Sequence, residues 1–153
     1  MREILFRGKP KNKSDLILVS QMKPENVLDD FVLGLLTIKD DRYFICFSTM
    51  GVSNGSLINN CISSVVEVIP ESIGQYTGLT DKNGKKIFEG DIVSAHGYIG
   101  YVQMDTDYWE VHWNHDFNRK LYVWTDTVEV IGNIHDNPEL LNDEGEAEVG
   151  EVQ

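Results

Sequence analysis

The stretch that most restricts how this chain can fold is Gln75–Val93, Gln-Tyr-Thr-Gly-Leu-Thr-Asp-Lys-Asn-Gly-Lys-Lys-Ile-Phe-Glu-Gly-Asp-Ile-Val. It holds two tight turns separated by a very short apolar step. Asp81-Lys-Asn83-Gly84 places Asp, Asn and Gly where a reversal needs them. Asn and Gly tolerate positive φ, and an Asp carboxylate can accept backbone N–H bonds two residues on. Ile87 and Phe88 supply the step. Glu89-Gly90-Asp91 is a second turn with Gly at the expected positive-φ position. Asp91-Ile-Val93 then opens a strand with β-branched residues. In this reading the polar residues shape backbone, because Gly, Asp and Asn punctuation is the usual mark of hairpins.

The rest of the chain reads as more of the same. Glu3–Arg7 alternates and predicts a strand, and Leu16–Ser20 is a continuous apolar run that predicts a buried one. Phe31–Ile38 and Arg42–Ser48 form a hairpin around Lys39-Asp-Asp, although Leu28, Phe31, Val32 and Leu35 also fit a helix over Asn26–Leu36. Thr49–Asn60 is a loop, and Ile62–Ile69 is a strand closed by Pro70. Gly97–Gly100 is a turn. Tyr101–Met104, Trp109–Trp113, Leu121–Trp124 and Val128–Ile131 are strands at the spacing of a barrel or sandwich. Asn137-Pro-Glu-Leu-Leu141 is an N-cap followed by one helical turn. The expectation is a mainly β protein. It has an N-terminal β segment (1–70), a small C-terminal barrel (71–141) with one short helical turn, and a disordered acidic tail (142–153).

Charge sorts the functional classes. The net charge is −12, and Glu139–Gln153 carries six acids and no base. The remainder still holds 19 acids against 13 bases, despite a basic patch at Arg2, Arg7, Lys9, Lys11 and Lys13. An acidic chain repels phosphate backbones, so nucleic acid is the disfavoured partner, and the alternative function is a nucleic-acid-related role, by direct binding through the barrel or by mimicry of DNA by the acidic surface. No apolar run reaches membrane-span length, and the first residues lack a signal-peptide core. With two cysteines, Cys46 and Cys61, a cytoplasmic and unprocessed protein is expected.

Chemical motifs are weak. Gly51-Val-Ser53-Asn-Gly55 matches a nucleophile elbow in letters, but no strand–turn–helix context surrounds it. Gly78–Lys85 misses the phosphate-loop spacing, and a calcium loop starting at Asp81 would need Glu where Ile92 stands. His112, His115 and Asp116 make an incomplete metal set. No catalytic residue, cofactor or metal is expected. Aromatics crowd the C-terminal half. Trp109 and Trp113 share strand parity, so they form either one core face or a binding surface, with core favoured because only Arg119 and Lys120 lie nearby to meet nucleic acid.

The central stretch resembles the signature of the YopX family of bacteriophage and prophage proteins. Arg2–Gly8 is similar to that family's opening strand. Ile73–Leu79 leads into its turn, Ile87–Val93 is similar to its most recognisable element, and Val128–Leu141 to its close. The motif positions are Tyr76, Thr77, Gly78, Asp81, Asn83, Gly84, Glu89, Gly90, Asp91, Gly132 and Asn133. Residues Lys9–Ile62 depart most, with Ser14-Asp-Leu-Ile-Leu where the family often has a Trp-containing strand. The resemblance implies a mainly β fold with an SH3-like barrel and a phage or prophage origin, and no transferable catalytic residue. A non-enzymatic protein-binding role is expected. The partner would be a host or phage protein or a second copy, met through a strand edge or an aromatic patch.

Overall fold

The computed structural model describes residues 3–48, 52–53, 56–57, 62–114 and 118–141. Its strands dominate, as the punctuation predicts, and they fall into two compact units. One is Ile4–Gln75, and the other is the chain from Tyr76 onward, which Glu3 joins.

The first unit contains β1 (Phe6–Gly8), α1 (Lys13–Met22), β2 (Val27–Leu28), β3 (Phe31–Lys39), β4 (Arg42–Ser48), β5 (Val52–Ser53), β6 (Ser56–Leu57) and β7 (Ile62–Val68). Its sheet runs β7-β4-β3-β1, with β2 on β3 and a separate β5–β6 pair. Beyond β1 the chain curls back to β7. Pro10 bridges Val68, the Lys11 N–H donates to the Glu67 carbonyl at 3.0 Å, and the Ile69 N–H donates to Lys9 at 2.8 Å. The sheet therefore nearly closes around Val19, Val32, Ile45, Phe47, Val66 and Val68. Gly34 permits the tight β3–β4 approach, since a Cβ there would stand 2.3 Å from the Cys46 carbonyl oxygen.

The hairpin of Phe31–Lys39 with Arg42–Ser48 is present, and the helical alternative for Asn26–Leu36 is not. Its loop, Asp40-Asp41, has φ of 52° and 62°, and the β2–β3 loop, Asp29-Asp30, has 51° and 68°. Two-residue hairpin loops of that hand match the twist of their strands, and Asp is among the few residues with a side chain that tolerates the region.

Leu16–Ser20 corrects the sequence reading. It is not a strand but the middle of α1, with Asn12 at the N-cap and Asp15 in the first turn. Of its residues only Val19 is fully buried, while Ile17, Leu18 and Met22 are more than half exposed. Apolar residues pointing both ways produced a continuous run, which periodicity cannot separate from a strand.

Strand β8 (Gly74–Thr80) starts in the first unit and continues into the second. There follow β9 (Lys86–Phe88), β10 (Asp91–Ala95), β11 (Tyr98–Met104), β12 (Trp109–Trp113), β13 (Asn118–Lys120) and β14 (Glu129–Asn133). β9 pairs β8, and the other five form a curled half-barrel sheet in the order β13-β12-β11-β10-β14. Every second residue of β12 is buried, which puts Trp109, Val111 and Trp113 in a core with Ile87, Val93, Val102, Leu121 and Val128.

Two further expectations fail in this unit. The reversal after β10 is the two-residue loop His96-Gly97, with φ of 51° and 86°, rather than Gly97–Gly100. Leu121–Trp124 is not a strand but a 3-10 turn over Leu121–Val123, because Leu121 alone of its first three residues enters the core. Residues 139–141 form the short helical turn, and the acidic tail lies outside the described residues.

Candidate functional site

The turns of the second unit are built on buried polar side chains. Asp81 is 5% exposed, and its carboxylate accepts three backbone N–H bonds. Oδ1 takes Asn83 at 2.8 Å and Lys85 at 2.9 Å, while Oδ2 takes Val130 on β14 at 2.9 Å. The Lys82 N–H donates to the Val128 carbonyl at 3.0 Å. Asp81 thus closes its own turn and takes one N–H of β14, the terminal strand of its sheet and so a point of attack for an added strand.

Asp91, 2% exposed, accepts the Phe88 N–H at 2.8 Å across the Glu89-Gly90 reversal. Thr77 donates its hydroxyl to the Ile87 carbonyl at 2.8 Å and accepts the Leu79 N–H. The Asn133 side-chain oxygen accepts His135 and Asp136 N–H groups, and Gly132 gives room to Asn137, whose Oδ1 would stand 2.6 Å from a Cβ there. Gly78, Gly84 and Gly90 have φ of 87°, 83° and 91°. Tyr76 packs on Phe88 under the Lys86 ammonium. These are bonds to backbone, the pattern that keeps a buried polar group satisfied.

The remaining chemical candidates do not converge. Ser53 lies on β5 paired to β6, and the next elements among the described residues are strands β6 and β7. His112 meets Glu110 at 3.2 Å and stacks on Tyr101, while His115 and Asp116 lie outside the described residues. No group of three or more potential metal ligands gathers among the described residues. Nor is Trp113 a surface residue. It is 4% exposed and packs against Trp124 in the core, so the idea that it offers a binding face is corrected.

Trp109, at 8% exposure, is core on one side and lines a groove on the other. The groove encloses about 210 Å³ between Leu79, Met104, Tyr108, Trp109 and Tyr122, with Thr77 and Asp107 as its polar members. That is below the roughly 300 Å³ at which small-molecule pockets begin, so it suits one or two side chains rather than a cofactor. Met104 and Tyr122 are well exposed at its rim. Burial raises the pKa of the Tyr108 hydroxyl, and Asp105, Glu110 and Asp107 raise it further.

Tyr108 and Tyr122 belong to the aromatic-rich C-terminal half, but nothing in the sequence marks the groove they line. Asp107 and Tyr108 come from the β11–β12 loop and Tyr122 from a 3-10 turn, where strand parity gives no direction. The first unit has its own cavity of about 230 Å³ beside α1, lined by Leu18, Val19, Met22, Phe47, Val65, Val66 and Asp15.

A family model described as YopX protein matches residues 36–142. No curated protein matches the chain. Among solved structures, protein EF1440 from Enterococcus faecalis is similar, with a TM-score of 0.53 and 22% sequence identity over 92% of this chain and 99% of that one. A likeness at that identity concerns the fold.

Proposed function

Since the chain belongs to the YopX family, we propose that it is a phage or prophage accessory protein acting in the host cytoplasm as a non-enzymatic protein-binding module. The groove of the second unit is where its partner, a host or phage protein, docks. The observation that carries this reading is an aromatic groove with exposed apolar rim residues, Met104 and Tyr122, on a unit whose turns are fixed by buried polar clamps. A rigid scaffold presenting an apolar recess with a few polar groups is what side-chain recognition needs. The Asp81 clamp disfavours the alternative in which a partner adds a strand to β14.

A photo-crosslinking residue in place of Tyr122 tests the reading in the host cell. The expected result is a discrete adduct with an identified protein that disappears when Met104→Glu is added. Adducts to nucleic acid, or protein adducts indifferent to Met104→Glu, would overturn it.

A further inference from the structure

We propose that Asn83-Gly84 is a self-modification site, and that the turn built on Asp81 holds the reaction off in the folded chain. The chain has two Asn-Gly pairs, at 54–55 and 83–84, and the first lies outside the described residues. At the second, both residues are exposed. A Cβ on Gly84 would meet nothing within 4 Å, so the space beside it is open to water and base. The Gly84 nitrogen can lose its proton to base and attack the side-chain carbonyl carbon of Asn83. A C–N bond forms, the Asn83 amide nitrogen leaves as ammonia, and a succinimide ring remains. Water then opens the ring at either carbonyl. Aspartate or isoaspartate is left in place of Asn83, with a new negative charge in both cases.

The turn opposes that attack. The Gly84 N–H donates to the Asp81 carbonyl at 3.0 Å, so the attacking nitrogen is already committed to another acceptor. Asp81 Oδ1 accepts the N–H groups of Asn83 at 2.8 Å and Lys85 at 2.9 Å, one on each side of Gly84. The Asp81 N–H donates to the Lys85 carbonyl at 2.8 Å and closes the loop. Ring closure must swing the Gly84 nitrogen off the Asp81 carbonyl and onto Asn83, and these bonds resist the rotation. Opening of the turn is therefore the gate, and exposed turns open locally at far lower free energy than the whole chain unfolds. An isoaspartate adds an atom to the main chain between Asn83 and Gly84, and a loop closed by these bonds does not fit the longer path. A transient opening thus becomes a permanent one.

The test incubates the full chain in mildly alkaline buffer, folded and in urea, and reads Asn83 and Asn54 by peptide mapping with mass spectrometry. In urea Asn83 is expected to react about as fast as Asn54, the unprotected standard. In the folded parent it should react about tenfold more slowly, the factor that about 1.4 kcal/mol of turn hydrogen bonding supplies. Asp81→Ala, kept folded, should restore most of the urea rate. Gly90→Ala strains the neighbouring turn and removes none of the Asp81 acceptors, so it should stay within about twofold of the parent, because the openings are local. Equal rates at Asn83 in the folded parent and in urea would overturn the proposal, as would an Asn83 that stays intact in urea. So would a folded Asp81→Ala with the parent's rate, or equal acceleration by Gly90→Ala and Asp81→Ala. Should Asp81→Ala not fold, amide exchange in the parent decides. Protection of the Gly84 N–H should match the slowing of the reaction, and an unprotected Gly84 would overturn the proposal.

Discussion

The two units solve one problem in different materials. Each is a small antiparallel sheet that must curl, cover its edges and hold tight reversals. The first does so mainly with backbone and apolar packing. Its buried polar side chains among the described residues are Arg7, against the Phe31 ring, and Ser72, which accepts the Lys9 N–H and donates to the Ile69 carbonyl. The chain after β1 returns along β7, α1 lies over the core, and its charged pairs, Lys11 and Arg42 with Glu67, sit at the surface. The second buries carboxylates, spending Asp81 and Asp91 on backbone N–H groups at its turns. A buried, fully bonded polar group specifies geometry sharply because every alternative leaves it unsatisfied. Packing against a helix tolerates more variation. The unit carrying the groove is thus the one with fixed turns.

If that contrast is right, Asp81→Ala should produce the largest effect. It removes the acceptor of three part-buried N–H groups in one step, and those that water does not reach cost about 1–3 kcal/mol each, so a loss of about 4 kcal/mol is expected. Amide exchange should accelerate in β10 and β14 while β3 and β4 stay protected. A cost below about 1 kcal/mol, or equal acceleration in both units, would break the contrast.

Gly34→Ala is the matching probe for the first unit. The added methyl meets the Cys46 carbonyl oxygen at 2.3 Å, and a strand backbone cannot step aside as a flexible side chain could. A cost of about 3 kcal/mol, read from urea unfolding, is expected, with exchange accelerated in β3 and β4. Retained stability would mean that the β3–β4 spacing is looser than the fold requires.

The contrast also explains what the sequence revealed. Asp81–Gly84 and Glu89–Asp91 are legible because their chemistry is local: a short carboxylate reaches N–H groups two to four residues away, and Gly takes the positive φ. The long-range bonds of these turns had no local sign, among them Val130 to Asp81, 49 residues apart, Lys82 to Val128, and Gly90 with Val102 and Ile134. In the first unit α1 depends on what packs against it, and its exposed Ile17, Leu18 and Met22 hide the helical period. The β12 alternation placed Trp109 and Trp113 together in the core. The groove stayed hidden because loops and a 3-10 turn supply its other aromatics.

Gly90→Ala should cost less than either, about 1–2 kcal/mol, because an alanine pays for left-handed backbone at φ near 91°. Gly90 also donates to Val102 and accepts from Ile134, so a shift there would loosen β11 and the start of the C-terminal turn. Unchanged thermal stability would show that the turn can adopt another form, and that Asp91 rather than Gly90 fixes it.

The smallest effect should come from the surface of the first unit. Glu67 meets Lys11 at 3.1 Å and Arg42 through two bonds, at 2.7 and 3.1 Å. Hydrogen bonds from Arg42 and then Lys11 lower its pKa from 4.5 to about 2. A carboxylate held lower in the folded than in the unfolded chain adds stability above the unfolded value, and the gain is lost as pH falls through the folded one. The difference in urea midpoint between the parent and Glu67→Gln should therefore be flat from neutral pH to about pH 5. It should then shrink and vanish near pH 2. Its size is kept small by solvent, since the Arg42 and Lys11 side chains are 60% and 49% exposed, and salt should reduce it further. The Asp81→Ala penalty, arising from buried hydrogen bonds, should be nearly indifferent to salt. A Glu67 effect that persists at pH 2, or that resists salt, would place its contribution in neutral hydrogen bonding and packing, and the two units would then differ less in kind than their charges suggest.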